Sequence, residues 1–232
     1  MMSETEARQK MEEILHDLWD RGHANTTGVS VSIRLDDGNI LVDQTGAGFR
    51  KCRVAAGDFL IIDLNGNLVR PAPLIPQKLA PVNTGVHLAY YKNPLAQACI
   101  HAHAPYSQVF ACRGETINPY TLQSQILGEV LCIHADDADL KKEYRERKPF
   151  IEVPSGLHAR PDVWYVMQKV AELTAKALEP RNHEMEKHGL AITHYQHGIF
   201  VFGRNLDEAF DNLERVEANA RTIIFSRMMG QI

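Results

Sequence analysis

Apolar residues recur every three or four positions in three long stretches of the chain, residues 4–21, 163–178 and 206–228. This spacing is typical of a helix that buries one face. Asn205 stands just before the last stretch and can cap it, and Glu208 at the third position completes a pattern like a capping box. The pattern therefore predicts three long helices. Two shorter helices are predicted at residues 82–92 and 106–113.

Short apolar runs bounded by turn residues predict the strands. Two of them, residues 29–35 and 40–42, flank an Asp-Asp-Gly-Asn turn and predict a β-hairpin. The charged stretch at 136–148 predicts a segment that leaves the core for solvent. Further strands are predicted at residues 59–62, 68–69, 98–103, 130–133, 190–192 and 198–202.

The order of these elements predicts an α/β fold. No repeat and no low-complexity linker interrupts residues 1–232, so the pattern predicts a single domain over this whole range. Helices on both sides of hairpin-connected strands indicate an α/β/α layered fold with a central, mostly antiparallel sheet.

One predicted strand carries the clearest chemical signal, because His101 and His103 lie two positions apart on it. Side chains at this spacing share one face of a strand, so both imidazoles can bind the same ion. Pro105 ends the strand and can begin a new helix, which places the pair at the mouth of a sheet. We therefore predict a metal site here. A third ligand would leave an open coordination position, as in catalytic metal sites.

Composition narrows the class of protein. The chain has 232 residues, of which 44% are hydrophobic and 23% charged, as in soluble globular proteins. A formal net charge of −4 gives no electrostatic case for binding nucleic acid or an anionic membrane. No apolar run is long enough to span a bilayer, and the polar amino end does not resemble a signal peptide. We expect a cytoplasmic enzyme that acts on a small molecule. The four cysteines form no CxxC motif and are predicted to be buried thiols in a reducing compartment: Cys52, Cys99, Cys112 and Cys132.

Several motifs, in this order along the chain, together resemble the class II aldolase and adducin family. This family includes sugar-phosphate aldolases, an epimerase, a dehydratase and several decarboxylases. The resemblance implies a Zn²⁺ or Mn²⁺ ion held by three histidines, which correspond here to His101, His103 and His197. It also implies a homo-oligomer, usually a tetramer. The motifs are Thr26-Thr27-Gly28, Gln44-Thr45-Gly46, His101-Ala102-His103, His197-Gly198 and Leu206-Asp207-Glu208-Ala209.

Two further histidines compete for roles near this site. His194 lies three residues before His197, and regular strand pairing would place it on the opposite face of the sheet. Only His197 is followed by the glycine of the family motif, so His194 is kept as a candidate catalytic or substrate-contacting residue. His87 stands where the family often has a histidine, and we expect it to pack against or orient the site.

The chain departs from the family pattern at the positions that bind phosphate and move protons. Family aldolases carry a Ser-Ser-Glu run where this chain has Pro81, Val82 and Asn83. The side chains of proline and valine cannot donate hydrogen bonds to a phosphate. We therefore expect a non-phosphorylated substrate, whose anionic group would use backbone amides near Gly28 and Gly46. Asn83 cannot act as a general base near neutral pH, although it can hydrogen-bond the substrate in the catalytic site.

The missing glutamate favours one reaction over the others. Deprotonation of carbon needs a base, whereas loss of CO₂ takes its electrons from the departing carboxylate. The expected function is therefore a carbon–carbon lyase that works through a metal-bound enolate, most simply a decarboxylase of a hydroxy acid, aromatic acids included. Tyr120 is the candidate proton donor, and Arg160 could bind a carboxylate through its planar fork. An aldolase and a non-catalytic, adducin-like interaction module are the alternatives.

Overall fold

We analysed a computed structural model of the chain, which describes residues 3–24, 28–44, 51–135, 137–147 and 150–230. The helices are α1 (Glu4–Asp20), α2 (Thr84–Tyr90), α3 (Pro105–Arg113), α4 (Asp137–Arg147), α5 (Pro161–Leu178) and α6 (Leu206–Met228). The strands are β1 (Val29–Arg34), β2 (Ile40–Val42), β3 (Leu60–Ile62), β4 (Leu68–Arg70), β5 (Ala80–Pro81), β6 (Ala98–Ala102), β7 (Leu131–Ile133), β8 (Leu157–His158), β9 (Leu190–His194) and β10 (Gly198–Gly203).

Eight of the strands form one sheet, in the order β4-β3-β2-β1-β6-β10-β9-β7. The strand pairs are antiparallel except for β7 and β9, which run parallel. The remaining two strands, β5 and β8, form a small parallel pair. The predicted mostly antiparallel central sheet is confirmed, and β6 lies in its middle.

The sheet is covered by helices on both faces, as the layered fold requires. Along β6, Ile100 points into a core shared with α1, α3 and α6, whereas Cys99 points into a core shared with α2 and α5. On β10, Val201 points into the first of these cores and Phe202 into the second. This alternation follows from the two-residue period of a strand, and it makes both faces of the central strands apolar.

The last helix begins where its sequence predicts. The side chain of Asn205 accepts a hydrogen bond from the Glu208 N–H at 2.8 Å, which satisfies one of the free donors at the helix start. In a complete capping box, the Glu208 carboxylate would accept a hydrogen bond from the backbone N–H of Asn205. Here it accepts instead from the backbone N–H of Arg204, at 2.7 Å.

Two expectations need correction. The charged stretch predicted to leave the core forms helix α4, which packs on α5 with the rings of Tyr144 and Tyr165 5.5 Å apart. The cysteines are unpaired, but only Cys99 is buried and Cys112 is exposed, so the prediction of four buried thiols is wrong. Within the described ranges, no helix is both long enough and apolar enough to span a bilayer.

Candidate metal centre

The first two histidines of the site lie at the end of β6. In the register of the sheet, His101 is opposite Ser30 of β1 and Phe200 of β10. His103 follows the last residue of the strand, and its backbone N–H donates to the carbonyl of Gly28 at 3.1 Å. The chain therefore stays beside β1 beyond the end of β6, and the two rings lie with their centroids 5.1 Å apart.

The third histidine stands in the tight hairpin between β9 and β10. His194 ends β9 and pairs with Gly198, the first residue of β10, and the His197 N–H closes the turn by donating to the His194 carbonyl at 3.0 Å. Gln196 has a φ of 55°, in the left-handed region. A non-glycine residue there costs about 1–3 kcal/mol. The Gln196 N–H donates to the carbonyl of Ala111 on α3 at 3.1 Å, so helix packing stabilises the turn.

These elements bring the three predicted ligands together. The ring centroid of His197 lies 4.8 Å from that of His101 and 5.3 Å from that of His103. Each residue offers one ring nitrogen, and these three atoms lie within 4.8 Å of one another. Three imidazoles around one point form the ligand set of an open zinc site, and they also suit other transition metals.

Gly198 permits this close approach. A Cβ at this position would lie 2.5 Å from the Ala102 carbonyl oxygen, 2.9 Å from Cδ2 of His103 and 3.2 Å from Cε1 of His101. Any side chain here would push the hairpin away from β6. The glycine that follows His197 is therefore needed because the two ligand-bearing segments touch at that residue.

The hydrogen bonds of His101 determine which nitrogen is left for a ligand. Its Nδ1 lies 3.0 Å from the carbonyl oxygen of Ile199, and because a carbonyl only accepts, Nδ1 carries the proton. Nε2 then holds a free lone pair, and it is buried with no hydrogen-bond partner among the described residues. The ring also stacks on Phe200 at 4.2 Å, which fixes its orientation. An orphaned buried lone pair beside two other imidazoles fits a bound cation.

Burial keeps these rings neutral. It lowers the pKa of His197 to about 4, with the nearby His103 adding to the effect. Burial also lowers the pKa of His103, and it lowers that of His101 well below the usual range together with charge repulsion from His197 and His103. A metal binds the neutral imidazole, so the site is ready for a cation at neutral pH.

A cavity of about 700 Å³ adjoins the cluster on the side of α5. Its polar wall includes His194 and His197, and its apolar wall comes from α5 through Val163, Val166 and Met167. A small organic molecule therefore has room beside His197, one member of the cluster.

Comparison with known proteins identifies the family. Residues 9–224 match the class II aldolase and adducin N-terminal domain. The chain belongs to this family. Because the match covers most of the chain, the resemblance seen in the sequence motifs is confirmed.

Individual relatives match almost the whole chain. A 3-oxo-tetronate 4-phosphate decarboxylase from Haemophilus influenzae is 25% identical, and the match covers 99% of this chain and 91% of the relative. A methylthioribulose-1-phosphate dehydratase from Pectobacterium carotovorum is 24% identical, with 93% and 92% covered. The solved structure of an L-fuculose 1-phosphate aldolase superposes with a TM-score of 0.72, over 99% of this chain and 90% of that one, at 20% identity. The family thus comprises metal-dependent lyases, and this chain is an enzyme of that class.

His87 lies behind the site within the core. It is fully buried, and its Nδ1 and Nε2 lie 2.8 Å and 3.3 Å from the hydroxyl oxygens of Ser32 and Ser30. Its ring meets the edge of Phe200 at 5.8 Å, and Phe200 in turn stacks on His101. Burial lowers the pKa of His87 to about 3, so the ring is neutral. These contacts support the ring of His101, a candidate metal ligand, from the far side.

The expected substrate-contacting residues differ in position. Asn83 is half-buried at the start of α2, one helical turn before His87. Gly28 lies beside His103 through the backbone bond described above. Gly46, the other glycine expected to bind an anion, lies outside the described residues.

Two further candidates lie on the surface of the single chain. Tyr120 is 47% exposed, and its backbone N–H donates to Asn219 at 2.9 Å. Arg160 is exposed and pairs with Asp162 at 3.0 Å. Neither is part of the described lining of the cavity beside the histidines.

His194 lies closer to the cluster than regular strand pairing predicts. Its ring centroid is 6.3 Å from that of His197, and both rings line the same cavity, so the expected opposite faces are wrong. The left-handed turn at Gln196 explains the difference, because it breaks the strand alternation between the two histidines.

Sequence reasoning missed Glu217. This buried residue of α6 accepts hydrogen bonds from the backbone N–H groups of Tyr106 and Ser107, at 3.0 Å and 2.6 Å. It thereby satisfies free N–H groups at the start of α3, which begins two residues after His103. An acidic residue next to the apolar stripe of α6, beside Val216, is the signal that could have revealed it.

Proposed function

We propose that the protein is a metal-dependent decarboxylase of a non-phosphorylated hydroxy acid. Its divalent ion, Zn²⁺ or Mn²⁺, would be held by His101, His103 and His197. The observation that supports this proposal most is the convergence of three neutral imidazoles, one with an orphaned buried lone pair and another, His197, on the wall of a cavity. A divalent ion bound there supplies Lewis-acid stabilisation of negative charge on the substrate.

The chain's own acids support decarboxylation over carbon deprotonation. Three acidic residues are buried in the described part of the chain, and each is already engaged. Asp43 pairs with Lys51, Asp58 accepts from the N–H of Ala55 at 2.9 Å, and Glu217 holds the start of α3. A carboxylate used in this way is a poor general base. Asn83 can hydrogen-bond the substrate but cannot take its proton.

The substrate's anionic group is proposed to differ from that of the relatives. Each relative named above acts on a compound whose name contains a phosphate. Here Pro81 and Val82 stand where family aldolases have serines. We expect a carboxylate in that place, held by backbone amides near Gly28 and Gly46.

We further propose a single-domain, cytoplasmic homo-oligomer, in keeping with the tetramers usual in the family. In such an assembly the exposed Tyr120 could donate a proton in a neighbouring site, and Arg160 could reach a substrate carboxylate.

A substrate screen tests this function. Protein loaded with Zn²⁺ or Mn²⁺ is offered non-phosphorylated hydroxy acids, their aldol counterparts, and fuculose and ribulose phosphates, with CO₂ and aldehyde release measured separately. We expect metal-dependent CO₂ release from a hydroxy acid and no turnover of the sugar phosphates, with metal-stripped protein as the control. Rapid cleavage of a sugar phosphate to an aldehyde would instead support the aldolase alternative.

A further inference from the structure

His194 is a buried histidine that the three-histidine cluster does not use. It is 4% exposed, lines the cavity beside His197, and packs against Phe200 at 4.4 Å. Its ring is 6.3 Å from His197, farther than the 4.8–5.3 Å that separate the three ligands from one another. It does not belong to the group of three residues whose ligand atoms lie within 4.8 Å of one another, so its role has to come from its own hydrogen bonds.

Thr174 on α5 determines the tautomer of this ring. The Thr174 hydroxyl has one proton, which it donates to the Val170 carbonyl at 2.8 Å. The same oxygen lies 2.9 Å from Nε2 of His194, so it must accept there, and Nε2 carries the imidazole proton. Nδ1 is then a bare lone pair.

This lone pair has no hydrogen-bond partner among the described residues, although it is buried. A buried acceptor left unpaired costs about 1–3 kcal/mol. Because His194 lines the cavity next to the candidate metal site, a ligand with a donor group that enters the cavity can satisfy this atom.

We propose that His194, held by Thr174, accepts a hydrogen bond at Nδ1 from a hydroxyl of the substrate and so selects for it. This role rests on the proposed function, because it assumes that the substrate binds beside the three-histidine centre. The lining of the cavity also includes the apolar side chains of Val163, Val166 and Met167, which suit a substrate with an apolar frame. The substrate class is therefore a hydroxylated carboxylic acid with an apolar or aromatic frame.

Binding of paired probes to the zinc-loaded protein tests this role. The probes are salicylates with a second ring hydroxyl (pyrocatechuate, β-resorcylate and gentisate) and the matching methyl ethers of that hydroxyl. By calorimetry, we expect at least one hydroxyl form to bind about tenfold more tightly than its ether. In Thr174→Val, the affinities of the hydroxyl form and its ether should differ by no more than about twofold. Nε2 of His194 loses its hydrogen-bond acceptor in this variant, so the tautomer is no longer fixed. Thr174→Ser keeps the hydroxyl and should keep the preference for the hydroxyl form over its ether.

The outcomes separate this inference from the proposed function. A preference that is absent, or that persists unchanged in Thr174→Val, would overturn the role of His194, whatever the protein turns over. A preference that behaves as expected, in a protein that releases no CO₂ from any hydroxy acid, supports the role of His194 and contradicts the proposed reaction alone. Thermal melting of each variant checks that it is folded.

Discussion

Replacing His101 by alanine is expected to remove both the bound metal and the activity. The His101 ring is fully buried, and its Nε2 is the orphaned acceptor of the cluster. Its loss should weaken zinc binding by more than about 100-fold. Losing a residue that only hydrogen-bonds to a ligand costs up to about 100-fold in metal affinity, and losing the ligand itself should cost more. Turnover should fall by about 1000-fold or more, because several kcal/mol of charge stabilisation are lost. Metal analysis and initial rates measure the two effects.

Two other histidines serve as controls for this variant. His183→Ala removes an exposed imidazole and should leave metal content and rate unchanged. His87→Ala removes an imidazole as deeply buried as His101, so it should lower stability while the zinc remains bound. If His101→Ala retained a full complement of zinc, this residue would not be a ligand.

Gly198→Ala is expected to separate the hairpin from β6 and damage the metal site without removing a ligand. The added Cβ would meet the Ala102 carbonyl oxygen at 2.5 Å and the His103 ring at 2.9 Å. The backbone of the β9–β10 hairpin must therefore shift, carrying His197 with it. Zinc affinity should fall by about 10- to 100-fold, as for other changes that misorient a ligand. The free energy of unfolding should fall by about 1–3 kcal/mol, the usual cost of overpacking.

Ile199→Val is the matched control for Gly198→Ala. Ile199 is the next residue of β10, is fully buried, and belongs to the core on the α1, α3 and α6 face. Losing one methylene there should cost about 0.5–1.5 kcal/mol with little change in zinc affinity. Equal zinc affinities in Gly198→Ala and the wild type would show that the close approach at Gly198 does not position the ligands.

Much of the fold could be predicted from the sequence, because local and tertiary preferences agree. The last helix combines the Asn205 cap with an apolar stripe, and β6 is an apolar run that ends at Ala102, three residues before Pro105. Helix α4 could not be predicted, because its sequence carries few apolar residues. Leu140 and Tyr144 pack toward α5, and the other residues of α4 are mostly charged. Helix α4 is stabilised by packing on α5. The local sequence of α4 does not show that this packing surface is present.

The site could be predicted only in part. His101 and His103 follow from the two-residue period of a strand, whereas His197 was found only through the family resemblance. No local pattern shows that a distant hairpin returns to the end of β6. The tautomer of His194 depends on Thr174, and sequence alone does not show which strand α5 covers.

The central claim is that one divalent ion is bound by His101, His103 and His197. Anomalous diffraction at the zinc edge, on crystals of the protein grown with zinc, tests it most directly. The account predicts one strong peak per chain, at about 2.0–2.1 Å from one ring nitrogen of each of the three histidines. No peak at this position, or an ion bound without His197, would contradict it.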